Sequence, residues 1–233
     1  MTFQDYSDVA IVLITKNEEK AIKKVITDSK IALKNATVFV IDGSTDNTKV
    51  LALEAGALVF EEPGGGFGPA LMKALHSPDE KFSIILTIDA DDTYPVEIFT
   101  TLVQDIRNGY DISGANRLTV FPTKNMPLSN WVMNRVFNLL ATIRTRQKIK
   151  DVHSGQRAYR REILYEFNWN YNGLAFPVDL ILWPALHNYK IIERDIIYKD
   201  RIGNSKLQRL PSGISTMKRL SYRRKRIKMS KIP

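Results

Sequence analysis

The 233-residue chain contains no cysteine, which excludes a disulfide framework and a cysteine-ligated zinc site and makes an intracellular location the default expectation. No apolar run approaches the ~20 residues that a membrane span requires, and the polar, acidic stretch Met1 to Asp8 does not have the character of a signal peptide. Any membrane contact is therefore expected to be peripheral. Internal repeats are absent, and the C-terminal end is the sole biased segment. What remains, 44% hydrophobic and 25% charged residues, is the composition of a soluble α/β domain with enough length to bury a full core.

The net charge of +9 is unevenly placed. Residues 218–233, KRLSYRRKRIKMSKIP, hold eight Lys or Arg and no acid, whereas the rest of the chain has 26 basic and 25 acidic residues. A tail of this kind suits a phosphate-rich partner, an anionic membrane leaflet or a nucleic acid, or else forms a solvated end. A nucleic-acid binder would account for the tail but not for the acidic clusters described next, so nucleic acid is not an expected partner.

Val9 to Ile14 is nearly all apolar, the pattern of a parallel strand buried on both faces. A lysine-rich amphipathic helix opened by Asn17-Glu18-Glu19 follows to about Leu33. Further strands are expected at Thr37 to Ile41, Ala57 to Glu61 and Ser83 to Ile88, separated by a helix carrying Val50, Leu51 and Leu53 and by another from Ala70 to Leu75. This alternation predicts an α/β fold with an open, mostly parallel sheet and helices on both faces. Ligands of such sheets sit beyond the carboxyl ends of the strands, where this chain places its polar clusters. Past residue 95 the pattern loosens. A helix over Val96 to Arg107, a strand over Asp111 to Ala115 and an amphipathic helix over Trp131 to Ile143 are expected; the last fits either a core-facing helix or one lying on a bilayer.

The segment ILTIDADDTYP, residues 85–95, runs from an apolar strand into three carboxylates. Like charges this close repel, and a bound hard cation is the simplest resolution. Asp89 and Asp91 project to one side if the chain stays extended, and two carboxylates at that spacing can clamp Mg²⁺ or Mn²⁺ while leaving positions for a diphosphate. Asp42 and Asp46 bracket a Gly-Ser-Thr turn after the second strand. Capping of the next helix by Ser44, Asp46 or Thr48 explains one of these residues, but it leaves Asp42 for hydrogen bonding to a base or ribose.

Asn17-Glu18 after the first strand, Asp42-Gly43-Ser44-Thr45-Asp46-Asn47-Thr48 after the second, Gly65-Gly66-Phe67-Gly68-Pro69-Ala70 before a helix, and Asp89-Ala90-Asp91 after the fourth strand together resemble the inverting family 2 glycosyltransferases with the GT-A fold. DVHSGQRAYRRE (151–162) and RIGNSKL (201–207) are similar to the D-x-x-S-G-F-R and R-x-G-x-S-K-L elements of dolichyl-phosphate mannose synthase and related polyprenyl-phosphate glycosyltransferases. The resemblance spans residues 9–207 and implies a GT-A domain over residues 1–210, followed by a basic, membrane-surface-associated segment over 211–233. It further implies that Asn17, Glu18, Asp42, Ser44, Asp46, Asp89 and Ala90 hold the nucleotide and that Asp89 and Asp91 hold the metal. Arg117, Arg135, Arg201, Ser205 and Lys206 would face phosphate oxygens, with Asp91, Arg117 and Arg201 carrying catalysis.

The chain departs from the family pattern at several points. Thr15-Lys16 replaces a proline and an aromatic, Thr93 stands where a glutamine is common, Gln156 replaces Phe, and Asp179 replaces Glu. The expected reaction is transfer of a hexosyl group, with inversion, from a nucleotide diphosphate sugar of the GDP-mannose or UDP-glucose type to dolichyl or polyprenyl phosphate at the cytoplasmic face of a membrane. A saccharide or protein acceptor is the alternative, and it would need a general base, for which Asp92 and Asp179 are the candidates. Thr15-Lys16-Asn17-Glu18 bears no likeness to the glycine-rich loop of a nucleotide-sugar pyrophosphorylase, which argues against that class.

Overall fold

The structure is a computed structural model that describes residues 5–119, 126–202 and 209–221. Among the described residues, seven strands form one sheet in the order β3-β2-β1-β4-β6-β5-β7. β1 (Val9–Thr15), β2 (Thr37–Asp42), β3 (Leu58–Glu61) and β4 (Ile84–Thr87) pair in parallel, as the alternation predicts. β6 (Arg157–Arg160) then runs antiparallel to both β4 and β5 (Ile112–Asn116), while β7 (Ile191–Asp195) returns parallel to β5.

Both faces of β1 are covered, which is why its sequence is apolar without alternation. Val9, Ile11 and Leu13 point into one cluster with α1 (Ile22–Ala32), α2 (Thr48–Glu54) and α4 (Phe99–Arg107). Ala10 and Val12 point into another, with α3 (Phe67–His76) and α6 (Phe176–Leu186). A third cluster joins α6 to α5 (Leu128–Thr145) and α7 (Arg209–Ser221) through Phe137, Ala141, Val178, Ile181 and Leu220. The boundary expected at residue 210 thus falls inside α7, a helix packed onto the body of the fold.

The local differences from expectation have physical causes. The first helix starts at Ile22 rather than near Asn17, because residues 17–21 are tied to the neighbouring strand end: Asn17 adopts φ +55° and its N–H donates to Ser44 Oγ at 2.7 Å. The stripe expected on the helix around Trp131 to Ile143 is divided. Phe137 and Ala141 are buried, while Val132, Val136, Leu139 and Ile143 are exposed. No helix among the described residues is long and apolar enough to cross a membrane.

Candidate active site

The carboxyl ends of β1 and β4, the β5–α5 connection, the segment entering β6, and helices α5 to α7 enclose a cavity of about 1000 Å³. Glu18, Asp89, Ala90, Asp91, Arg117 and Arg201 all contribute to its wall, so residues separated by more than 180 positions meet there.

Asp89 and Asp91 follow β4, but not as neighbours on an extended strand. β4 ends at Thr87, and the chain turns so sharply that Asp92 has φ +61°. The turn is held by Asp91 itself, whose Oδ1 accepts the Thr93 N–H (3.1 Å) and hydroxyl (2.6 Å). Thr93, at the position where the family pattern has glutamine, is fully buried and serves to fix Asp91. Asp92 is turned away towards α1 and pairs with Lys24 at 2.9 Å. Burial, reinforced by the Asp91 charge, pushes the Asp89 carboxyl up to about 7. Its carboxylate lies against Gly155, where a Cβ would come within 2.5 Å of Oδ1.

The half-buried Asp89 and the buried Asp91 carboxylates form an all-oxygen, hard donor set, which fits Mg²⁺ or Mn²⁺. No group of three His, Cys, Asp or Glu side chains placed to hold a metal occurs among the described residues. An ion on Asp89 and Asp91 would therefore complete its shell from water or from a diphosphate.

Arg201 closes this side of the cavity. The backbone N–H groups of Lys199 and Ile202 donate to the carbonyls of Thr93 (2.9 Å) and Asp91 (3.2 Å), laying the segment alongside the acidic turn. The Arg201 guanidinium then reaches Asp91 Oδ2 at 3.1 Å and Glu18 Oε1 at 3.4 Å. Its Nε is buried without a hydrogen-bond partner, which leaves one donor for a further acceptor.

Arg117 is held differently. Its Nε and Nη2 donate to the two oxygens of Asp151 at 2.7 and 2.9 Å, and its backbone N–H donates to the same carboxylate at 3.1 Å. Burial alone would raise the Asp151 carboxyl, but the Arg117 charge and hydrogen bonds outweigh it and lower it. One face of the guanidinium lies over the Tyr198 ring, 5.5 Å from its centroid, and Tyr198 stacks edgewise on Tyr94. Asp151 is fixed in turn. Its N–H donates to Glu193 Oε1 (2.8 Å) and its carbonyl accepts from the fully buried Arg157 (2.9 Å). The similarity of 151–162 to a family element marks this segment in the sequence, but nothing there announces that Asp151 orients Arg117. Glu193, buried in a strand that reads "IIERD", gives no sequence signal of its role.

The expected nucleotide residues fall into two groups. Glu18, Asp89 and Ala90 line the cavity. Asn17, Asp42, Ser44 and Asp46 form a network beside it, behind the Thr15 wall position. Asp42 Oδ1 accepts from Thr15 Oγ1 (2.7 Å) and Ser44 Oγ (2.5 Å), and Asn17 Oδ1 accepts the Thr45 N–H (2.8 Å). Asp46 accepts the Thr48 N–H (3.0 Å) at the start of α2, in line with the capping reading. Arg135 stands apart. It is exposed on α5, donates to the Leu118 carbonyl at 2.9 Å, and lies over the Trp131 ring rather than in the cavity wall. Ser205 and Lys206 lie outside the described residues.

The doubly covered sheet, the paired carboxylates after β4 and the arginines facing them define a glycosyltransferase of the GT-A fold. The profile of glycosyl transferase family 2 matches residues 10–167, and the chain belongs to that family. It is 36% identical over 214 residues to the dolichyl-phosphate hexose transferase of Haloferax volcanii, with 91% of this chain and 92% of that protein aligned. It is also 25% identical to the polyprenol monophosphomannose synthase of Mycolicibacterium smegmatis, over 84% of this chain and 80% of that one. Among solved structures, the Mycobacterium tuberculosis glucosyl-3-phosphoglycerate synthase in complex with Mn²⁺, UDP and phosphoglyceric acid superposes with a TM-score of 0.73 at 22% identity, covering 91% of this chain and 78% of that one. That likeness shows the fold.

Proposed function

We propose that this enzyme transfers a hexosyl group from a nucleotide diphosphate sugar of the GDP-mannose or UDP-glucose type to the phosphate of a dolichol or other polyprenol, with inversion, making a lipid-linked sugar for glycan assembly. The observation that carries the reading is the meeting of Asp89 and Asp91 with two arginines, Arg117 and Arg201, in one cavity. The names of the two relatives, which specify dolichyl-phosphate and polyprenol acceptors, point the same way.

A phosphate monoester has its second pKa near 6 and is largely dianionic at neutral pH, so as a nucleophile it needs little help from a base. It needs placement beside an anionic donor. Arg117, with its fork held rigid by Asp151, and Arg201, with one donor uncommitted, supply that placement and screen the repulsion between phosphates. Asp89 and Asp91 would hold Mg²⁺ or Mn²⁺, which when bound neutralises charge on the leaving nucleoside diphosphate. The network of Asn17, Asp42, Ser44 and Asp46 sets the strand ends against which base and ribose would lie. Under the alternative of a saccharide or protein acceptor, Asp92 or Asp179 would have to act as base, yet both are committed to ion pairs, with Lys24 and Arg219 respectively.

The acceptor's tail stays in a bilayer, so the enzyme works peripherally at the cytoplasmic face, with the basic end contributing ~1 kcal/mol per Lys or Arg near an anionic surface. Incubation with radiolabelled GDP- and UDP-sugars, Mg²⁺ or Mn²⁺ and a polyprenyl phosphate tests the reading. One labelled product in the organic phase supports it and names the donor. Nucleotide-sugar binding with no labelled lipid overturns the acceptor assignment.

A further inference from the structure

Most neutral polar side chains in the cavity wall are already hydrogen-bonded within the fold. Thr15 donates to Asp42 (2.7 Å), Thr87 and Ser154 donate to the carbonyls of Arg157 and Gln156 (both 3.3 Å), and His153 Nε2 lies 2.8 Å from Thr216 Oγ1. Tyr159 is hydrogen-bonded to Thr87 and Tyr198 to Thr93. The side chains of Ser129, Asn130 and Asn134 are different. They line the same wall from the first turns of α5 and have no hydrogen-bond partner among the described residues.

Asn130 and Asn134 begin a row. With Asn138 they recur at four-residue steps, so the three lie on one side of α5 within about 12 Å along its axis. Asparagine is among the poorer helix formers, because its amide competes for backbone groups, and a row of three weakens a helix unless the amides bond elsewhere. Asn138 does so. It is buried, its amide donates to the Lys150 carbonyl, and its oxygen accepts the Val152 N–H at 3.0 Å. These two bonds pin α5 to the residues on either side of Asp151, the carboxylate that holds Arg117. They also set the rotation of the helix about its axis. The half-buried Asn134 and Asn130, about one and two turns earlier, are thereby brought to the cavity that Arg117 lines. α5 contributes no charged side chain to that wall.

We propose that Asn130 and Asn134 read the hydroxyl groups of the transferred hexose and so determine which sugar the enzyme accepts. A hexosyl ring carries no charge, and each of its hydroxyls both donates and accepts. A carboxamide offers two N–H donors and a carbonyl acceptor, a match for hydroxyls that an acceptor-only carboxylate or a donor-only guanidinium does not provide. Two carboxamides at i and i+4, about 5–6 Å apart at Cβ, can address two hydroxyls at once. A site that hydrogen-bonds a substrate hydroxyl discriminates against a sugar that presents that hydroxyl differently, because its polar groups are then left unpaired. The inference rests on the nucleotide-sugar reading and names the part of the donor that these two residues recognise.

Equilibrium binding to the full chain, which needs no lipid, tests this. Affinities for UDP-glucose and GDP-mannose are measured against those for UDP and GDP, all with Mn²⁺, in the wild type and in the Asn130→Ala, Asn134→Ala double variant. The ratio of nucleotide-sugar affinity to nucleotide affinity is expected to fall about tenfold in the variant, the scale of a lost hydrogen bond or two, while UDP or GDP binding is unaltered. The urea midpoint should hold, since alanine is the better helix former. Preference between UDP-glucose and UDP-galactose, or between GDP-mannose and GDP-glucose, pairs that differ in the configuration of one hydroxyl, should narrow. The proposal is overturned if the ratio and the preference stay at their wild-type values, or if UDP and GDP binding falls by the same factor as nucleotide-sugar binding. It is also overturned if nucleotide-sugar binding is unchanged while the KM for polyprenyl phosphate rises in the radiolabel assay, which would assign the two amides to the acceptor phosphate. Loss of the ratio in the variant, with no lipid labelled by the wild type, would refute the acceptor assignment alone and support this one.

Discussion

Asp91 and Asp151 are both buried carboxylates with arginine partners, yet removing their charges has different consequences. Asp91→Asn keeps an oxygen for Thr93 and the shape of the turn, but removes one of the two carboxylates proposed to hold the cation. We expect a fold that unfolds at an unchanged urea midpoint and a transfer rate at least about a hundredfold lower, since neutralising a developing charge is worth several kcal/mol. Asp151→Ala strands Arg117, 12% exposed at its side chain, without its counter-charge, and loss of one member of a buried pair costs about 3–5 kcal/mol. Here denaturant unfolding should register a large loss. Glu193 adds a pH dependence. Burial pushes its carboxyl up to about 7 from an ordinary 4.5, so its protonated form is favoured in the fold and the stability it contributes is lost as pH rises through 7. His153, lowered to about 4 by burial and then by Arg117, has the opposite sign, losing stability as pH falls from 6.5 towards 4. Glu193→Gln removes the first effect. Urea unfolding at about pH 5 and about pH 8 should therefore show a larger deficit for the variant at the lower pH.

At the scale of elements, the glycine in the first turn of α3 has a cause that was invisible in the sequence. A Cβ on Gly68 would fall 1.6 Å from the carbonyl oxygen of Tyr171, so the helix can be approached by residues 171–173 only if that position is bare. Gly68→Ala is expected to displace that segment and to lower the thermal midpoint by several degrees in calorimetry. Gly155→Ala would press on the Asp89 carboxylate instead, and the expected result is weaker Mn²⁺ binding, followed by electron paramagnetic resonance, with the fold retained. The first four strands and the acidic ends of β2 and β4 were legible because apolar runs punctuated by turn residues leave a period-two or period-3.6 trace. α6 left none. Its residues FPVDLILWPAL are buried on nearly every side between two clusters and include Pro184, which erases periodicity. β6 and β7 were hidden by Arg157 and Glu193, charged residues whose partners come from distant parts of the chain. For the same reason the Arg117–Asp151 pair, 34 residues apart, needed coordinates, whereas the Asp89-Ala90-Asp91 triplet did not.

For the whole molecule, positive charge is concentrated at the C-terminal end, where residues 218–233 hold eight of the 34 Lys and Arg and no acid, and under the proposed peripheral role that end is the part to test. Replacing the six Lys and Arg of residues 223–231 by Gln should weaken retention on anionic liposomes by an amount that shrinks as salt is raised, because exposed charges are screened beyond about 10 Å at 0.1 M salt. Equal retention of both proteins at low salt would show that the tail takes no part. The sheet order has a different kind of consequence. β6 is threaded between β4 and β5, so Thr87 meets Arg157 across 70 residues of sequence, and β4, paired with β1 on one edge, has its other edge unpaired until β6 arrives. On the ribosome, β4 therefore waits with an open hydrogen-bonding edge while those intervening residues are made. Late insertion of a central strand is a high-contact-order step, and the apolar edge it leaves unpaired is the place where this chain is most exposed to mispairing with another copy before the site exists at all.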